Sequence, residues 1–152
     1  MQTEHLILNN LLNDEDYARR TFPYLKSEYF SDRTERIVYE QLDDFINNFN
    51  ALPSREALTI EIGNLNNIND KDYTQLNEYV ATLVKTGDDD RQWLIDTTEK
   101  FCQEKALYNA IMESISIIDD NEGRKDKGAI PEILSDALSV SFDPNVGHDL
   151  ID

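Results

Sequence analysis

The sequence predicts an all-α fold, a small helical bundle followed by a C-terminal helical hairpin. Three observations lead there. Apolar residues recur at helical spacing in one segment after another, and Ser, Thr, Asp or Asn residues stand where these segments open. One stretch, from Asp90 to about Asn121, keeps helical character long enough to extend ~48 Å at 1.5 Å per residue. A short charged turn and a second, shorter helix then bring the chain back. The expected division is a bundle over residues 1–89, a hairpin over 90–142 and a tail over 143–152.

In the bundle, Thr3 is placed to cap a first helix, Glu4 to Leu12, with Leu6, Ile7, Leu11 and Leu12 inward. Asn13 and Asp14 open a second, Asp14 to Thr21, with acids in its first turn and Arg19 and Arg20 in its last. Pro23 ends it, and the aromatic-rich PYLKSEYF (Pro23 to Phe30) reads as an irregular packed connector. Ser31 is the expected cap of Asp32 to Phe49. In that helix Val38, Leu42, Phe45, Ile46 and Phe49 make a stripe of roughly 100°, the width one core requires. Asn50-Ala51-Leu52-Pro53 breaks the chain, and Ser54 caps a helix to about Asn64. Asn69 or Asp70 caps the next, with Tyr73, Leu76, Val80, Leu83 and Val84 inward and Gly87 placed to close it in a left-handed conformation.

The long helix differs from the others. Asp88, Asp89 and Asp90 stand just ahead of it, where acids favour the positive end of the helix dipole; a metal cluster is the rival reading. Leu94, Phe101, Tyr108 and Ile115 recur every seven residues, with Thr97, Glu104, Ile111 and Ile118 between them. The seam is weak in its first half and strong in its second. Asp96 and Lys100 make a favourable pair four residues apart. Over Leu107 to Ile118 the apolar residues cover roughly 220° of the circumference, about twice what one core needs. Something beyond the domain is expected to cover the surplus. Glu122 to Gly128 forms the hairpin turn, in which Arg124, Lys125 and Lys127 are candidate partner or DNA contacts, or solvated turn charges. Pro131 sits in the first turn of the closing helix, where its missing N–H costs nothing, and Ile130, Ile133, Leu134, Ala137 and Leu138 form its apolar face.

The 152 residues are one domain by length, enough to bury roughly 68–70% of the unfolded surface. No apolar run approaches a membrane span, and no basic segment precedes an apolar one at the start, so a soluble, non-secreted chain with no membrane partner is expected. A net charge of −17 repels phosphate backbones and disfavours direct nucleic-acid binding by the segment as a whole. It suits a basic protein partner, or solubility alone. Cys102, the only cysteine, forms no internal disulfide, which fits a reducing compartment.

Motifs for chemistry are missing. There is no phosphate-binding loop of the G-x-x-x-x-G-K-[ST] type, and His5 and His148 stand in no metal-ligand spacing with Cys102. Cys102 reads as a packed small residue, and acid pairs such as Asp14/Asp16 or Asp43/Asp44 arise by chance in so acidic a chain. Trp93 is expected to be an anchor in the core or in an interface. No catalytic, cofactor or metal residue is assigned.

PYLKSEYF (Pro23–Phe30), LPSREAL (Leu52–Leu58) and GAIPEILSDALSVSFDPNVGHD (Gly128–Asp149) together resemble the N-terminal part of the replicative DNA helicases of T4-like bacteriophages, which are DnaB-type hexameric helicases. The likeness extends over essentially the whole chain. It implies an all-helical N-terminal domain ending in a helical hairpin, then a linker to a RecA-like ATPase domain. Residues 143–152 become the start of that linker; the sequence stops at Asp152 before any Walker motif, so an excised domain, or one that has lost the rest, is expected. Further implications are pairing of hairpins between neighbouring subunits, a collar on a hexameric ring, and docking of primase, a helicase loader and a single-strand-binding protein. ATP or GTP with Mg, and unwinding of DNA in the 5′-to-3′ direction, belong to the parent ring, which acts in the host-cell cytoplasm.

The expected function is accordingly a non-catalytic oligomerisation and docking domain. Its expected oligomer interface is Leu107, Ile111, Ile115 and Ile118 with Ile130, Ile133, Leu134 and Leu138. Two rivals from other classes are a free-standing acidic interaction protein, such as a DNA mimic, and a carboxylate-metal enzyme that rests only on the abundance of acids.

Overall fold

The computed structural model describes residues 2–85, 87, 89–120, 122–123 and 126–142. Among these the chain is all helical, with seven α-helices, short 3-10 turns and no strand. It divides into two compact units, Met1–Ile95 and Asp96–Asp152. The tail at 143–152, taken above as the start of a linker, lies outside the described residues.

The first unit contains α1 (Gln2–Asn13), α2 (Glu15–Thr21), α3 (Arg33–Phe49), α4 (Arg55–Gly63) and α5 (Asp70–Ala81), followed by the start of α6. α3 is its hub, packing against α1, α4 and α5, while α1 also packs on α2 and α4 on α5. Leu8 and Leu11 of α1, Val38 and Leu42 of α3, Leu58 and Ile62 of α4 and Leu76 and Val80 of α5 are fully buried. The connector PYLKSEYF folds as two 3-10 turns separated by extended residues. It docks on α3: the rings of Phe22 and Phe30 stack on Tyr39 with centroids 5.6 and 4.9 Å away, and the Tyr39 hydroxyl donates to the Leu25 carbonyl at 3.0 Å. Arg36 donates to the carbonyls of Phe30 and Ser31. The aromatic content of that stretch thus supplies core that its irregular backbone does not exclude.

Caps follow the expected chemistry at Asp14, Ser54 and Asn69, whose side chains accept from the amides of Tyr17, Ala57 and Asp72. At Asn69 the Asp72 carboxylate also accepts the Asn69 amide, closing a capping box. Several expectations are corrected. α1 begins at Gln2, so Thr3 lies inside it. Asp32, not Ser31, caps α3 by accepting the Glu35 amide at 3.0 Å, because its carboxylate reaches the amide three residues on. α5 ends at Ala81, so Gly87 (φ +153°) closes nothing there; Leu83 is instead held by Asn13 Nδ2 and Arg55 Nη2, which both donate to its carbonyl, at 3.2 and 2.7 Å. Phe49, Tyr73 and Val84 stay exposed, since each lies at or near an element end, beyond the buried part of its stripe. Trp93 is half exposed, which removes the core alternative of its expected role and leaves the interface one.

α6 (Arg91–Ile118) opens with Asp90 Oδ2 accepting the Trp93 amide at 3.0 Å, so one of the three adjacent acids is a cap. It ends at Ile118, short of the expected Asn121. Arg91, in its first turn, pairs with Asp14 and Asp16 at 3.2 and 3.4 Å. In the second unit, α6 is followed by a turn with Gly123 at φ +68°, a conformation in which a side chain is strained, and then α7 (Ile130–Leu138) with Pro131 in its first turn.

Candidate functional site: the apolar face of the hairpin

The second unit exposes an apolar face where the arc of Leu107 to Ile118 placed a surplus. With Leu107 as zero, Ile117, Ala110 and Ser114 fall near about 280°, 300° and 340°, whereas Ile118, Ile111, Ile115, Tyr108 and Met112 fall near about 20°, 40°, 80°, 100° and 140°. The structure separates these groups. Ala110, Ser114 and Ile117 are buried, and the Ser114 hydroxyl is satisfied by donating to the Ala110 carbonyl at 2.8 Å. Tyr108, Ile111, Met112, Ile115 and Ile118 are all exposed, between 43% and 59%. One helix thus carries a narrow buried strip and, beside it, a wider exposed one.

The partner helix adds to the same unit. Ala137 of α7 is buried, Ile130, Ile133 and Leu134 are half-buried, and Leu138 is 72% exposed. Beyond α7 the chain returns to the earlier turns of α6. Gln103 Nε2 donates to the Val140 carbonyl at 3.1 Å, and the Phe142 amide donates to Glu99 Oε2 at 2.7 Å. The hairpin is therefore antiparallel, with its base at 99–103.

Of the eight residues expected at an oligomer interface, Ile111, Ile115, Ile118 and Leu138 are exposed and Leu107, Ile130, Ile133 and Leu134 are half-buried. Tyr108 and Met112 complete the exposed strip although that set omitted them. The full arc of roughly 220° already contained both, and the seven-residue series contained Tyr108. Lys127 is exposed, while Arg124 and Lys125 lie outside the described residues.

Elsewhere the chemistry is structural. Cys102 is buried, and burial together with the nearby Glu99 carboxylate pushes its thiol up to about 12, so it is a packed side chain rather than a nucleophile. Tyr79 donates to Glu35 Oε2 at 2.8 Å and lies 3.1 Å from His5 Nδ1, tying α5, α3 and α1. Burial, and then the Glu35 hydrogen bond, raises the Tyr79 hydroxyl far above its ordinary value, so it acts as a permanent donor. With Tyr79 donating to Glu35, the consistent state of His5 carries its proton on Nδ1 and donates to the Tyr79 oxygen. No group of three or more His, Cys, Asp or Glu side chains able to hold a metal ion occurs among the described residues. No helix among them is long and apolar enough to cross a membrane.

The chain is similar to a DnaB-like replicative helicase of Enterobacteria phage T4, with 32% identity over 155 residues. The alignment covers 97% of this chain and 32% of that protein, so the chain spans about a third of its relative's length. No protein-family model matches the chain.

Proposed function

We propose that this chain, which is related in sequence to DnaB-type phage replicative helicases, serves as the non-catalytic N-terminal collar domain of such a helicase, mediating oligomerisation and the docking of primase and loader. One observation carries the reading. Five large apolar side chains stand exposed along consecutive turns of α6, with Leu138 exposed in the same unit. Contiguous apolar surface on a chain of net charge −17 is costly to leave in water and marks an interaction site. A second copy of the hairpin presents the same kind of surface, and isologous pairing lets one face cover the other.

In this reading residues 1–89 form the bundle, 90–142 the pairing hairpin and 143–152 the start of the linker to a RecA-like domain. ATP or GTP and Mg bind in that domain and none of them here. DNA passes through the parent ring rather than over this acidic segment. The acidic surface receives more basic replisome partners, among them primase, loader and single-strand-binding protein, and its charge acts mainly on encounter rate and partner choice. The site of action is the host-cell cytoplasm.

Light scattering of wild type against Ile111→Asp and Ile115→Asp tests the pairing. Both positions are exposed in the single chain, so the variants keep the helical fold, whereas a carboxylate forced into an apolar contact weakens association by more than about tenfold. Unchanged association in both variants would remove the face from the account. The charge of −17 also favours a second reading, a free-standing acidic DNA mimic. A coding sequence that runs past Asp152 into a Walker motif excludes it.

A further inference from the structure

A cleft opens on the first unit where the connector meets the C-terminal half of α3. Two adjoining cavities of about 180 and 550 Å³ share Phe22, Pro23 and Ile46 in their walls, so they form one continuous trough. Local structure explains the space. α2 gives way to a 3-10 turn at Phe22–Tyr24, in which Pro23 has no N–H to carry the helix on. On the other side α3 is closed by Asn50 at φ +53°, a left-handed conformation that Asn tolerates, and Ala51 and Leu52 beyond it complete the wall. Ala18 and Ala51 line the narrower end with short side chains that leave it unfilled. Ile46, on the inward stripe of α3, lines both cavities and is only half-buried. Pro23, Lys26, Asn47, Asn50 and Ala51 are exposed, so the trough is open along its length. That shape suits a chain segment laid into it better than an enclosed small molecule.

Acids outnumber bases around the trough. Glu15 and Asp43 line it, and Asp44 adjoins Asp43. Glu40 stands at the wider end, where it accepts the Ser27 hydroxyl at 2.7 Å. Of the two bases in the lining, Arg19 is already paired with Glu15 at 2.8 Å, which leaves Lys26. Burial, and after it the Asp44 carboxylate, raises the Asp43 carboxyl above its ordinary value, with the Asn47 hydrogen bond opposing. A cation beside Asp43 favours the charged form that burial and Asp44 disfavour.

We propose that this trough is the docking site for a short basic segment of a partner protein, one that sets a large apolar side chain over Phe22 and Ile46 and a Lys or Arg beside Asp43. The apolar contact supplies affinity, and the acids steer encounter and fix which way the segment lies. A second copy of this chain is a poor occupant, because at net −17 it brings further negative charge to an acidic rim. The inference deepens the docking part of the collar reading and rests on it for the partner being a replisome protein. The pairing face of α6 has no part in it.

Labelled short peptides of alternating Lys and Leu, of Lys and Ser, and of Glu and Leu, titrated into the full 152-residue chain, test it by fluorescence anisotropy and amide NMR shifts. The Lys–Leu peptide is expected to bind, the other two more weakly by about tenfold or more, with shifted amides in residues 22–27 and 43–52. Asp43→Lys reverses the charge in the wall and Ala51→Trp fills the narrow end; each is expected to weaken binding about tenfold. Glu78→Lys, the same charge change at an exposed position of α5 outside the lining, is expected to leave binding within about twofold of wild type. Amide spectra unchanged away from the trough show that the variants remain folded. Failure of the Lys–Leu peptide to bind, equal binding of the Lys–Ser peptide, equal loss in Glu78→Lys and Asp43→Lys, or shifts centred on 108–118 each overturn the proposal. So do trough amides that shift on concentrating the chain alone, since a second copy is then the occupant. Self-association is read separately by scattering. A chain that stays monomeric yet binds the peptide in the trough loses the pairing face and keeps this site, and one that associates without binding the peptide does the reverse.

Discussion

At Glu35 one carboxyl group joins α3 to Tyr79 of α5 at a cost. Its Oε2 accepts from Tyr79 of α5, its neighbours include Glu4 of α1 and Asp32 at the cap of its own helix, and its Oε1 is buried with no partner among the described residues. Burial raises its proton affinity above the ordinary value of 4.5; the Tyr79 hydrogen bond opposes this, and Glu4 and Asp32 add to it. Between the ordinary value and the raised folded one, the folded chain keeps a proton that the unfolded chain has released. The stability this group contributes is fully present below pH 4.5 and declines as pH rises through the folded value. Glu35→Gln, which keeps the acceptor for Tyr79 and removes the charge, is expected to stabilise the fold at neutral pH by about 1 kcal/mol and to flatten this dependence. Thermal melts from pH 4 to 8 check it; a variant less stable than wild type at pH 7 contradicts it. Nothing in the sequence pointed to this residue. Glu35 looks like one surface acid among many, and only the packing of α1 and α5 on α3 buries it.

At the scale of elements, the legible features were those set by local chemistry. Asp14, Ser54 and Asn69 cap because a short side-chain acceptor next to a helical run satisfies an amide within its own turn. The box at Asn69 is the most complete case. Asn69→Ala is expected to cost about 1 kcal/mol in chemical denaturation, and a loss below the error of the measurement speaks against the box as a stabilising device. Expectations failed where tertiary contacts decide. The end of α5 was read from Gly87, yet the helix ends at Ala81 and the Leu83 carbonyl beyond it is taken by Asn13 and Arg55. Ser31 lost to Asp32 because two adjacent residues of equal capping quality cannot be ranked from spacing alone. The contacts at the hairpin base were illegible, as they join residues some forty positions apart through main-chain atoms of no particular sequence.

For the whole molecule, the informative quantity was an excess. The arc of apolar residues on α6 was wider than one core can cover, and the structure leaves the far side of that arc exposed, from Ile118 through Met112. The antiparallel return of α7, with Pro131 in its first turn, is fixed by the contacts of Gln103 with Val140 and of Glu99 with Phe142. On the proposed reading a second copy covers the exposed strip, a matter of assembly rather than of a single chain. Sedimentation equilibrium of the wild-type chain, from micromolar to millimolar concentration, tests this most directly. The account predicts an average mass that climbs with concentration above that of one chain. A mass equal to one chain across the whole range would contradict it.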